Sequence, residues 1–196
     1  DGIAQNSGVA KNTIKKYITY LEAAFLINVI HRIDDSAKKF KRANFFKIYL
    51  TNPSLRSALF TPITKSDTHI GNMVETAIFS QWQHSDHSLH YARWNNGEVD
   101  IVSLDGGLKP SWCVEIKWSN RFAENPYELK NIKWFCSKHK IEEGVVITTV
   151  DLTQQTLIEG INYEFVPASL YCYNVGRNLV EGKSLSSDPK GVAIRN

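Results

Sequence analysis

The sequence predicts an α/β domain whose core runs helix, three-strand meander, helix, strand, preceded by a small helical unit and a hairpin. Three observations predict it. An apolar stripe of helical period in "HIGNMVETAIFSQWQ" is followed by three short β-rich runs, "LHYARW", "EVDIVSL" and "SWCVEIKW", joined by turn residues. A segment with helix-start signals, "NPYELKNIKWFCSKH", comes next. It leads to "GVVITTV", in which only Thr148 and Thr149 are polar, the pattern of an interior parallel strand.

The chain opens on "IAQNSGVA", a short helix broken at Gly8. The next helix, "KNTIKKYITYLEAAFLI", sets Ile14, Ile18, Leu21 and Phe25 on one stripe and turns Lys11, Asn12, Lys15, Lys16 and Thr19 outward. "LINVIHRI" and "NFFKIYL" read as strands around a basic loop with Lys38, Lys39, Lys41 and Arg42. This order resembles a winged helix–turn–helix lacking its first helix. In a DNA-binding member the second helix enters the major groove and the wing touches phosphate. A packing or hinge module that never meets DNA has the same spacing. This partial winged unit is assigned to residues 1–50.

Residues 51–68 form a linker, with Pro53, Pro62 and one short helical stretch. The core domain is placed at 69–175. Its first helix buries Ile70, Val74, Ala77, Ile78 and Trp82 and carries Glu75 at the edge of that stripe. A carboxylate there needs a cation, a proton or hydrogen-bond donors, because stranding it in an apolar contact is costly. Asn96-Gly97 predicts a type I′ hairpin, and "DGG" with Pro110 the next reversal. Asn125 is expected as N-cap, Pro126 at the first helical position and Glu128 closing a capping box. "INYEFVPASLYCYNV" is expected to add a last edge strand, and residues 176–196, rich in Gly, Ser and charge, a mobile tail.

Composition narrows the class. No apolar run approaches the roughly 18 residues of a membrane span. Three widely spaced cysteines without a CxxC pair argue against a disulfide framework or a zinc ribbon and for a reducing cytosol. The net charge of +3 points to no partner by itself, whereas the cluster around Lys38–Arg42 suits a phosphate backbone. The sequence does not begin with Met, and a longer chain is expected.

Three charges interrupt the meander strands. Side chains two apart on a strand share a face, so Glu115 and Lys117 point one way and Val114, Ile116 and Trp118 the other. If the reversal is centred between Gly107 and Lys109, Asp100 sits across from Glu115 or Lys117, and the preceding helix can bring Glu75 over the same edge. Acids on adjacent strands make a hard oxygen site of the kind Mg²⁺ or Mn²⁺ prefers. A nearby lysine can orient water or stabilise developing charge.

Glu75 on the first core helix, Asp100 in "EVD", Glu115-x-Lys117 in "EIK" and the order α-β-β-β-α-β together resemble the PD-(D/E)XK nuclease superfamily. The phrases "KIYLTNPSLRSALF", "GNMVETAIFSQW", "YARWNNGEVDIV" and "VEIKWS", in that order, resemble the C-terminal domain that follows an AAA-type P-loop ATPase in many prokaryotic proteins. This likeness runs from Ile3 to about Pro167. It implies a restriction-endonuclease-like fold and a Mg- or Mn-dependent nuclease site with Glu75, Asp100, Glu115 and Lys117 as catalytic residues, Asp100 and Glu115 holding the metal. It also implies an upstream ATP-binding domain, the source of any ATP binding, since this sequence has no Walker motif. Nucleic acid and that ATPase domain are the implied partners. An ion-pair cluster kept by a domain that no longer cuts, and serves as a binding or regulatory module, has the same residues.

His84, His87 and His90 in "HSDHSLH" have the spacing of a zinc array. With no Cys near and a helix end beneath them, a solvated turn is the expectation.

Overall fold

The structure, a computed structural model, describes residues 2–33 and 45–181. Lys38, Lys39, Lys41 and Arg42 of the expected wing, and the tail from residue 182, lie outside the described residues. In chain order come α1 (Gly2–Ser7), α2 (Lys11–Ala23), and the antiparallel strands β1 (Ile27–Ile33) and β2 (Phe46–Leu50). The segment expected as linker holds α3 (Pro53–Leu59), capped by the Asn52 side chain, which accepts from the Ser54 N–H at 2.9 Å. Then come α4 (Ile70–Gln81), β3 (Leu89–Trp94), β4 (Gly97–Leu104), β5 (Pro110–Glu115), α5 (Arg121–Glu124) and α6 (Lys130–His139). β6 (Val145–Thr149), β7 (Gln154–Ile158), β8 (Ile161–Pro167) and α7 (Ala168–Val180) complete the described chain.

All eight strands form one mixed sheet, in the order β2-β1-β3-β4-β5-β6-β8-β7. The β1–β2 hairpin is therefore hydrogen-bonded into the same sheet as the core strands, through the parallel pairing of β1 with β3. Helices cover both faces, as a sheet with apolar residues on both sides demands. Val74, Ile78 and Phe79 of α4, with Tyr171 and Val175 of α7, pack on Ile101, Val114, Ile116 and Val146. Ile132, Phe135 and Cys136 of α6 pack on Val99, Val102, Cys113 and Val145. Of the α4 stripe read from the sequence, Val74, Ile78 and Trp82 are buried, Ile70 and Ala77 are partly buried, and Phe79 is buried beside them.

A bulge distorts β4. His90 pairs with Val102 and Ala92 with Val99, so Tyr91 alone opposes two residues, Asp100 and Ile101. Without that extra residue Val99 and Ile101 would share a face. Instead Val99 joins the α6 side and Ile101 the α4 side. Such bulges bend a strand and re-aim side chains, and here the irregularity falls on Asp100.

Several local expectations are corrected. The β3–β4 reversal turns on Asn95-Asn96, since Trp94 pairs with Gly97. Neither asparagine has positive φ, so the turn is not type I′. Gly97 answers a different need: a Cβ there would fall 2.4 Å from the Trp94 ring. The hairpin with both central residues at positive φ is β7–β8, turning on Glu159 (φ 51°) and Gly160 (φ 82°). Asn125 makes no capping hydrogen bond. Glu128 pairs with Arg121 at 2.5 Å, and α6 begins only at Lys130, after a 3₁₀ turn. β8 is interior, with β7 at the edge. "ASLYCYNV" continues as helix α7, because Tyr171 and Val175 recur at helical rather than strand spacing, and the helix takes Gly176 to Val180 out of the expected tail. On α2 the expected stripe is not buried: Leu21 and the following Phe25 are exposed.

Candidate functional site

The end of β5 is where the sheet ladder gives way to side-chain hydrogen bonds. Continuing the β4–β5 register, in which Ile101 faces Val114, puts Asp100 opposite Glu115. Beyond Glu115 the next two backbone N–H groups donate to side chains. That of Ile116 goes to Asp100 Oδ2 at 3.0 Å, and that of Lys117 to Thr148 Oγ1 at 2.7 Å. The Thr148 hydroxyl donates in turn to the Lys117 carbonyl at 2.8 Å. Buried peptide groups need partners, and these bonds fix the segment carrying both charges.

Glu115 and Lys117 do share a face: Lys117 Nζ lies 2.7 Å from Glu115 Oε1. Val114 and Ile116 are buried toward α4 and α7, and Trp118 packs against that cluster. The other oxygen, Glu115 Oε2, is buried and finds no hydrogen-bond partner among the described residues. Burial first, then the charge of Asp100, push the Glu115 carboxyl up to about 7, against the pull of Lys117. For Lys117 burial acts downward, but Glu115, Asp100 and Glu75 together outweigh it and raise its pKa. The asymmetry has a simple cause: the lysine answers three acids, whereas one ammonium does not compensate Glu115 for lost water and for Asp100.

Glu75 reaches the site from α4. Its Oε2 accepts from the Tyr49 hydroxyl at 2.9 Å, the donor that its half-buried position requires. Burial, then Asp100, raise its pKa as well. Asp100 is thus the shared neighbour of both glutamates. The sequence reading missed what lies on its other side. Lys47 of β2 extends to Asp100 Oδ1 at 3.4 Å, pairs closely with Glu98, and stands 5.1 Å from the Tyr91 ring centre. Burial would lower Lys47, yet Asp100, Glu98 and Glu75 hold it raised. No local signal announces it, because the contact depends on β1 pairing in parallel with β3.

Among the described residues no group of three or more His, Cys, Asp and Glu side chains is drawn together closely enough to hold a metal ion. Mg²⁺, however, is commonly held by one or two carboxylates and keeps several waters. Asp100 and Glu115 fit that requirement, with the partnerless, buried Glu115 Oε2 as the oxygen that lacks a counter-charge. Beside them a cavity of about 310 Å³ opens, lined by Glu115, Lys117, Phe122, Lys130 and Asn131. Phe122 lies under Lys117, its ring centre 5.6 Å from Nζ.

Elsewhere, Lys11, Lys15 and Lys16 are exposed on α2, apart from this cluster. The histidine segment is not the solvated turn expected. His90 is buried on β3, and His87 lies edge-on to Trp82 and Trp112, with ring centres 5.6 and 6.2 Å away. No helix among the described residues is long and apolar enough to cross a membrane.

Two comparisons bear on this geometry. A family described as a domain of unknown function (DUF8612) matches residues 1–67, the stretch from α1 through α3. An uncharacterised protein of Haemophilus influenzae is 23% identical over 157 residues, covering 80% of this chain and 36% of that protein. The chain therefore spans little more than a third of the length of the relative it matches.

Proposed function

We propose that this chain carries a Mg²⁺- or Mn²⁺-dependent phosphodiesterase site of the PD-(D/E)XK kind, acting on nucleic acid as part of a larger AAA-type ATPase. The observation that carries the reading is the Glu115 carboxylate: one oxygen is paired with Lys117 while the other is buried, partnerless and facing the charge of Asp100. A carboxylate left so is costly unless a proton or a cation completes it, and a bound cation would displace the proton that burial favours. The succession α4, β3, β4, β5, α6, β6, with the acids on β4 and β5 and Glu75 on α4, agrees with that assignment.

In this reading Asp100 and Glu115 hold the ion. When bound, it lowers the pKa of a bound water and neutralises charge on the scissile phosphate. Lys117, fixed through Thr148, directs its ammonium at the attacking water and the phosphate oxygens. Glu75, oriented by Tyr49, accepts hydrogen bonds from water at the edge of the site. Lys11, Lys15 and Lys16, with the basic loop Lys38, Lys39, Lys41 and Arg42, would track the phosphate backbone. The ATP-binding domain is a partner in this proposal, and the cytosol its compartment.

A second reading has its own observation. Lys47 already neutralises Glu98 and Asp100 as Lys117 does Glu115, so the cluster can stand as a closed ion-pair network in a non-catalytic binding or regulatory module. Incubation with plasmid and oligonucleotide substrates separates the two. Cleavage that needs Mn²⁺ or Mg²⁺ and disappears in Asp100→Asn supports the first. Binding without cleavage across substrates and metals supports the second.

A further inference from the structure

The cavity of about 310 Å³ beside the acidic cluster has a second wall. Glu115 and Lys117 line it from the end of β5, and Lys130, Asn131 and Ile132 from the first turn of α6. That turn is left ready for negative charge. The first bond of the helix ladder runs from the Lys133 N–H to the Leu129 carbonyl, at 3.1 Å, so the N–H groups of Lys130, Asn131 and Ile132 precede it. Leu129 stands at the N-cap, where an apolar side chain offers them no acceptor. The Asn131 amide does not cap them either: its Oδ1 lies over Gly97 of β4, 2.9 Å from where a Cβ would stand. The turn carries no acid and begins with a lysine, the reverse of what the helix dipole favours. Lys130 is exposed and has no ion pair or hydrogen bond among the described residues. Local rules broken without local compensation mark functional positions.

The opposite wall turns this helix end into a site. Glu115 is only 8% exposed, and its Oε2 is buried with no partner among the described residues. Its other oxygen is paired with Lys117, and Glu128, the second carboxylate lining the cavity, is paired with Arg121. Lys130 and the helix end are thus left without a counter-charge. A cation completing Glu115 Oε2 adds to that positive excess from the β5 side. An anion between the two walls answers both.

We propose that the first turn of α6, with the Lys130 ammonium, binds a backbone phosphate of the nucleic acid, next along the strand to the one that Lys117 engages. The ammonium and the three N–H groups only donate, and phosphate oxygens accept from all of them. Lys130 is a substrate-positioning residue in this arrangement, since Lys117 already serves the scissile group. The choice of a nucleic-acid phosphate rests on the phosphodiesterase reading; the preference for an anion rests on the α6 wall.

The test is anisotropy of a short fluorescent DNA duplex with the 196-residue chain at several salt concentrations, in chelator so that binding is read without cleavage. Lys130→Ala should lower the log–log salt slope by about 0.9, the share of one phosphate contact, and Lys130→Arg should restore it. Lys138→Ala removes the same charge from the last turn of α6 and should leave the slope unchanged. Lys130→Glu should bind more weakly than Lys130→Ala yet be no less stable than wild type in urea, because an acid suits a helix start. Where the wild-type chain cuts in Mn²⁺, Lys130→Ala should raise KM and leave kcat. The inference is overturned if the wild-type chain binds no duplex at low salt, if Lys130→Ala keeps the full slope, or if Lys138→Ala lowers it equally. Tighter calorimetric binding of inorganic phosphate than of duplex overturns it too, and assigns the α6 wall to a free phosphate. A slope that depends on Lys130 in a chain that cuts no substrate sinks the phosphodiesterase reading alone; metal-dependent cleavage with a slope indifferent to Lys130 sinks this inference alone.

Discussion

Replacing Glu115 by Gln removes the charge that the metal-free site tolerates least. In the folded chain the Glu115 carboxyl is raised from an ordinary 4.5 to about 7, chiefly by burial and by Asp100. The folded state therefore binds a proton that the unfolded chain has already released between these values. Stability must fall as pH rises through that window, the reverse of a salt-bridged acid with a depressed pKa. At about 1.36 kcal/mol per pH unit, the full cost above pH 7 is ~3 kcal/mol. The 2.7 Å pair with Lys117 is already included in that net figure, and a glutamine carbonyl can still accept from the ammonium. Glu115→Gln should accordingly gain about 1–3 kcal/mol at pH 8 in chelator and lose little at pH 5. Urea unfolding at half-unit pH steps, with and without the substitution, measures it. Wild-type stability that rises from pH 5 to 7.5, or a glutamine variant weaker than wild type at pH 8, would refute the reasoning.

Two further outcomes follow from the same geometry, and a third from the charge of the loop sequence. Lys117→Ala should abolish metal-dependent cleavage while leaving Mn²⁺ binding intact or tighter, because the ammonium acts on water and phosphate and repels the ion; an unchanged rate on oligonucleotides rejects that role. Thr148→Val keeps the volume but deprives the Lys117 N–H and C=O of their side-chain partner. It should cost about 1–3 kcal/mol in urea unfolding, and a change near zero would show that water replaces the hydroxyl. Replacing Lys38, Lys39, Lys41 and Arg42 together by Ala should flatten the salt dependence of duplex DNA binding, by about one unit of log–log slope per lost phosphate contact. Anisotropy that shows no binding by the wild-type chain at low salt would assign the basic loop to a protein partner instead.

The parts legible in the sequence are those set by strong local periodicity. The α4 stripe, the β3–β4–β5 meander and the interior strand β6 follow from apolar spacing, and the alternation around Ile116 placed Glu115 and Lys117 on one face. What escaped depends on long-range pairing. Nothing local in "FKIYL" says that Lys47 will cross β1 and β3 to meet Asp100, because that requires β1 to join β3 in parallel. The β4 bulge is equally silent, being a mismatch between two strands rather than a property of either. In "ASLYCYNV" closely spaced aromatics mimic strand alternation, and only packing on α4 makes Tyr171 and Val175 a helical stripe. "NNG" misled for a different reason: the Trp94 ring, not a left-handed turn, requires the glycine.

The central claim is that Asp100 and Glu115 together hold one divalent cation, and Mn²⁺ calorimetry on wild type and Asp100→Asn tests it most directly. Removing one of two charged oxygen ligands leaves little to offset dehydration of the ion, so the wild-type chain should bind one Mn²⁺ and the variant should show no saturable heat. Binding should also displace the proton that Glu115 retains near neutral pH, making the measured heat depend on the buffer's ionisation enthalpy. Equal Mn²⁺ affinity in the two proteins, or no binding by the wild-type chain, would contradict the account and leave the cluster as an ion-pair network closed by Lys47 and Lys117.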